Sequence, residues 1–146
     1  MKKATTMLRL SFWAGAIADA FFALALAYPK LWGMALGITA FAPDLQHRLD
    51  MSIGASLMLS WTVLLLWADR KPMERKGVLL LTVFPALACL SITAVAAVIS
   101  KAIPFLNMLP VFIMQTVLTC LFLSSYILAS RTESTADGCA AQQASR

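Results

Sequence analysis

The sequence predicts an all-α protein, a four-helix transmembrane bundle with both termini cytoplasmic. Three observations lead there. Hydrophobic residues make up 60% of the 146 and charged residues 13%, where a soluble domain carries roughly a quarter charged. Mean hydropathy is +0.79. The charges that remain fall at the ends of four long apolar stretches rather than over a foldable soluble surface. The net charge of +5 therefore reads as an orientation signal and not as a nucleic-acid footprint.

The first stretch, Leu10 to Tyr28, follows a start carrying Lys2, Lys3 and Arg9. Its 19 residues span about 28 Å as a helix, close to a ~30 Å hydrocarbon layer. The basic start, apolar run and small residues around Ala23 imitate a secretory signal. Against cleavage stand the length of the run and the carboxylate of Asp19 at its centre, so the stretch is expected to be retained as a helix.

Pro29 ends this helix. Leu31 to Ala42 is apolar but too short to span, which fits a re-entrant or interfacial segment with Trp32 at headgroup level. Asp44 is placed to cap the next helix, whose membrane part is Met51 to Ala68. A dense charged loop, Asp69 to Gly77, joins it to the third span, Gly77 to Ser100. Pro85 inside that span removes a backbone hydrogen bond and is expected to bend it. After an irregular turn containing Pro104 and Asn107, the fourth span runs from Pro110 to Ser130. Residues 1–131 thus form one membrane domain, and 132–146 a disordered tail.

Lys2, Lys3, Arg9, Arg70, Lys71, Arg75, Lys76, Arg131 and Arg146 lie on one side of these spans, nine in all. Lys30, Arg48 and Lys101, three residues, lie on the other. The asymmetry predicts an inner (plasma) membrane protein with N-in/C-in topology and argues against dual orientation.

Asp19 is the leading candidate for chemistry. An ionisable group at the centre of a membrane helix costs roughly 2.5–3.5 kcal/mol to insert, so it should face the bundle interior and find a partner. The small residues Ser11, Gly15, Ala23 and Ala27 share its i, i+4 row and would let another helix approach. Depth matching nominates Ser60 on the second span and Gln115 or Thr119 on the fourth as hydrogen-bond partners. The functional reading is a proton- or ligand-coupling carboxyl. The alternative is a polar fastener between helices, within a bundle or an oligomer. Gln115, Thr116, Thr119, Ser124 and Ser125 give the fourth span a polar stripe and Ser52, Ser56 and Ser60 form a row on the second, and both read more simply as helix-packing residues than as a water path.

The other candidates are weaker. Cys89, Cys120 and Cys139 include no C-x-x-C, so a disulfide-exchange enzyme lacks its core. Asp44, His47 and Asp50 recur at helical spacing, but they lack a fourth ligand and read better as solvated residues at a helix start. With one histidine, a bis-histidine haem within one chain is excluded. No phosphate loop, nucleophile elbow or paired carboxylates occur. No cofactor is expected, and an enzymatic activity ranks below a binding or transport role.

In the stretch from Trp67 to Thr82, and in size and topology, the chain resembles the small four-helix membrane proteins of prokaryotes and is similar to DoxX-like proteins. That resemblance implies a helical membrane domain over residues 8–131 and carries no functional residues with it. Partners are expected to be the lipid bilayer together with a second copy or another membrane protein. Three functions follow in order: transport or small-ligand binding at Asp19, a non-catalytic interaction subunit, and a membrane oxidoreductase using Cys89 and Cys120.

Overall fold

The computed structural model describes residues 2–35 and 43–144, with side chains for 3–31, 33–34 and 43–134. Its elements are α1 (Lys2–Ala27), α2 (Pro29–Ala35), α3 (Leu45–Asp69), α4 (Gly77–Leu81), a π-helical segment (Thr82–Leu87), α5 (Ala88–Ile99) and α6 (Phe105–Ala144). α4, the π segment and α5 follow one another without a break. Among the described residues, four helices are long and apolar enough to cross a membrane: Lys3–Ala27, Leu45–Asp69, Gly77–Ile99 and Phe105–Ser134. The described residues form an all-α bundle.

α1 is the central element, packed along α3 and against α6. Two small residues explain the close approach. Ser11 is fully buried. At Gly15 a Cβ would stand 2.8 Å from Cζ of Phe122 and 3.0 Å from Cδ1 of Leu65, so a side chain there would force these neighbours to shift. Around them Leu8, Phe12, Leu65, Leu79, Phe122 and Ala129 form a tight apolar core. Large apolar side chains outside this core are exposed on every long helix, among them Ile17, Leu57, Ile92 and Ile113. Such a surface is costly in water and natural against lipid.

The charged loop clamps one end of the bundle. Asp69 closes α3 and accepts from Arg9 Nε at 3.2 Å and from Trp13 Nε1 at 3.3 Å, both on α1. Lys71 pairs with Glu74 at 3.0 Å. The Arg75 guanidinium lies 3.4 Å over the Trp67 ring. Lys76 bonds Glu133 of α6. The start of α1, the end of α3, the start of α4 and residue 133 of α6 therefore lie together.

At the far end, α5 closes in a Schellman motif. Ala102 N–H bonds the Ala97 carbonyl and Lys101 N–H the Val98 carbonyl, with Lys101 at φ 57°. Asp44 caps α3 as expected, its Oδ1 accepting from His47 N–H at 2.8 Å.

Four boundaries differ from the sequence reading. α1 begins at Lys2, because Lys, Ala and Thr extend the ladder into the polar start. α2 covers the first part of the interfacial stretch, and 36–42 lie outside the described residues. α6 begins at Phe105 and carries Pro110 in its second turn, where one ladder bond is lost near the helix end. It continues to Ala144 instead of giving way to a disordered tail at 132. Ala, Gln and Glu in that tail are good helix formers, and no proline stops them. Forty residues make about 60 Å of helix, twice a hydrocarbon layer.

Candidate functional site

The tight core occupies the half of the bundle near the charged loop. Beyond Phe122 and Leu87 the helices part. α5 contributes no buried residue, and a cavity of about 350 Å³ opens between α1, α5 and α6. It runs from the level of Ala18, Asp19 and Leu118 at the bundle's middle to Ala97 and Ile103 near the α5–α6 connection. Its wall is apolar, with Asp19, Thr93 and Gln115 as the polar exceptions.

Asp19 stands where the packed half gives way to the open one. Its Oδ2 is buried and has no hydrogen-bond partner among the described residues. The α1 helix sets this position: the same turns that bury Ser11 and Gly15 against α6 carry Asp19 to the cavity wall. A buried, unpaired carboxyl oxygen is costly and calls for a donor or a cation.

Gln115 lies on α6 and is only 6% exposed. Its Oε1 accepts from the Ser91 hydroxyl of α5 at 3.1 Å. This bond ties α5 to α6 beside the cavity. Gln115 also faces a second hollow of about 210 Å³ on the outer side of the α5–α6 seam, with Ser91, Thr116, Thr119 and Cys120. One amide thus separates the inner cavity from an outer groove.

The sequence-nominated residues divide accordingly. Asp19 and Gln115 share the inner cavity, and Gln115 and Thr119 share the outer groove. Ser60 joins neither. It is exposed on α3, and its hydroxyl bonds the Ser56 carbonyl of its own helix at 2.9 Å. Depth matching put Ser60 near Asp19, but the face that α3 turns toward α1 carries Leu65, Thr62 and Met51. Ser56 is likewise exposed and bonded to the Ile53 carbonyl, so this row neither packs helices nor lines the cavity.

The small-residue row of α1 is used within the chain. Ser11 meets Ser125 of α6 at 2.6 Å, and Gly15 and Ala23 are buried, leaving Ala27 exposed. Cys89 and Cys120 are unpaired and exposed on α5 and α6, and Cys139 lies outside the described side chains. His47 and Asp44 are exposed, 3.9 Å apart, beside the α3 cap.

Two participants were missed from sequence. Ser91 is the bonded neighbour of Gln115, and Trp61 donates to Thr82 Oγ1 of the π segment at 3.1 Å. A serine in an apolar helix is the signal that could have found the first. Comparisons with protein-family models, with curated proteins and with solved structures gave no match.

Proposed function

We propose that the chain is a multi-pass inner-membrane protein that binds or carries a small ligand in the cavity beside Asp19, with that carboxyl exchanging a proton or a bound cation. Asp19 lines a cavity of about 350 Å³ and its Oδ2 is buried with no hydrogen-bond partner among the described residues, and this pairing carries the reading. A carboxyl kept only to fasten helices would be expected to hold a hydrogen bond across the interface, as Ser11 and Ser125 do. The cavity volume falls at the lower end of the ~300–1,000 Å³ typical of small-molecule sites.

The excess of basic residues around the clamped end supports N-in/C-in orientation. The cavity then opens toward the outer half of the bilayer. Labelling with a membrane-impermeant thiol reagent tests this: Lys101→Cys should react from outside and Lys71→Cys only after the membrane is opened. The reverse pattern would invert the topology.

The proton-exchange reading is tested by infrared difference spectroscopy on the reconstituted protein as pH is varied through the neutral range. A carboxyl C=O band should come and go with pH and be missing in Asp19→Asn, while the variant remains assembled by gel filtration. A spectrum in which Asp19→Asn removes no titrating band would sink the reading.

The interaction-subunit alternative draws less support, because the face of α1 suited to docking is already filled by α3 and α6.

A further inference from the structure

The chemistry of the cavity narrows the ligand. Of its polar groups, two hold a hydrogen bond inside the chain. Thr93 donates to the Cys89 carbonyl at 2.9 Å, and Gln115 Oε1 is held by Ser91. Asp19 brings a carboxyl to this wall, its Oδ2 buried with no hydrogen-bond partner among the described residues, and none of their Lys, Arg or His side chains lines the cavity. A ligand that satisfies this site must bring donors. The remaining wall is hydrocarbon and thioether, including Phe22, Met58, Met108 and Met114, where flexible methionines adapt to an apolar body.

The polar and apolar parts are also ordered along the bundle axis. Asp19 is at the closed end, against the core around Leu87 and Leu118, and the apolar walls extend from it toward Ala97 and Ile103. From Leu87 to Ala97 this is about 15 Å of helix. The shape suits a molecule with one polar head at the bundle's middle and an apolar tail pointing to the α5–α6 end.

Resting on the ligand-binding reading above, we infer that the cavity takes an amphipathic amine, its protonated nitrogen seated against Asp19 and its apolar body lying between α1, α5 and α6. An ammonium group offers several donors and a positive charge, and a charge-assisted hydrogen bond is roughly twice as strong as a neutral one. A neutral alcohol offers one donor and no charge. A carboxylic acid in its ionised form brings like charge to like.

Head-group comparison on a constant tail tests the inference. The full chain in nanodiscs is dialysed against n-octylamine, n-octanol and sodium octanoate, with binding to protein-free nanodiscs subtracted. Saturable octylamine binding is expected, about tenfold tighter than octanol, with octanoate weakest. Asp19→Asn should weaken octylamine about tenfold and leave octanol nearly unchanged. Ala94→Trp, which fills the wall without touching the carboxyl, should abolish binding of both while circular dichroism stays native.

Equal binding of octylamine and octanol would overturn the amine assignment and leave the cavity reading standing. Absence of saturable binding for every head group would overturn both. Octylamine binding that survives Ala94→Trp would place the amine elsewhere and overturn the inference as well.

Discussion

The hydroxyls of Ser11 and Ser125 meet at 2.6 Å with both residues fully buried, joining the first and last spanning helices of the chain. Each also reaches the Met7 carbonyl, at 3.0 Å from Ser11 and 3.3 Å from Ser125. Ser11→Ala or Ser125→Ala therefore leaves the surviving hydroxyl an acceptor. A double-mutant cycle measured by unfolding in mild detergent should give a coupling of about 0.6 kcal/mol, the common value for such pairs in membranes. Ser125→Leu should cost about 1–3 kcal/mol through overpacking. Zero coupling would mean the two hydroxyls act independently.

At Gly15 α1 approaches Leu65 of α3 and Phe122 of α6 closely. Gly15→Ala drives its new methyl against the ring of Phe122, which is itself buried and must shift to admit it. A loss of about 1–3 kcal/mol is expected. Phe122→Leu should recover part of it, because the shorter side chain withdraws the atom that clashes. Thermal unfolding of the two single variants and the double variant reads the outcome. A Gly15→Ala protein as stable as the parent would contradict the packing.

Lys101 adopts a left-handed conformation in the Schellman turn that glycine takes at little cost. Lys101→Gly should stabilise the protein by up to about 1 kcal/mol. It also removes one of three basic residues from the sparse side, so the orientation bias should strengthen. Unfolding midpoint and reporter fusions at the two ends check the two effects separately.

Asp69 holds two partners from α1, whereas Arg9 holds the exposed part of the same cluster. The Asp69 side chain is 13% exposed and that of Arg9 60%. Arg9→Ala is expected to cost about 0.2–1 kcal/mol and to lose that effect at high salt. Asp69→Ala should cost more and remain costly in salt, since the Trp13 indole N–H loses its acceptor as well. Equal salt-sensitive losses would show that Trp13 contributes nothing.

Several features were legible in the sequence because they depend on local physics. The four spans are set by apolar length and the Asp44 cap by chemistry at a helix start. Asp19 and Gln115 could be singled out because a carboxyl or an amide is rare and costly inside a membrane helix. Which residues meet across helices was harder to read. Ser60 and Asp19 are matched in depth but differ in the direction their helix faces turn, and depth carries no rotational information. The pairing of Gln115 with Ser91 depends on rotation too, and the proline segment had changed that rotation before α5 began. The reach of α6 to Ala144 was hidden by a composition that is polar enough for a coil and rich enough in Ala and Gln for a helix.

The π-helical segment has a consequence for the chain's length. A wider turn accommodates a residue beyond the regular count, and each residue of helix corresponds to about 100° of rotation. Deleting one residue between Thr82 and Leu87 would let an ordinary helix run through. Everything after it would then swing by about that angle: Ser91 would leave Gln115 and the cavity wall would turn outward. A one-residue deletion here would thus be harsher than many substitutions, even though Phe84 and Pro85 themselves are exposed. Related chains that keep the cavity should keep the spacing from Thr82 to Ser91, whatever side chains occupy the positions between.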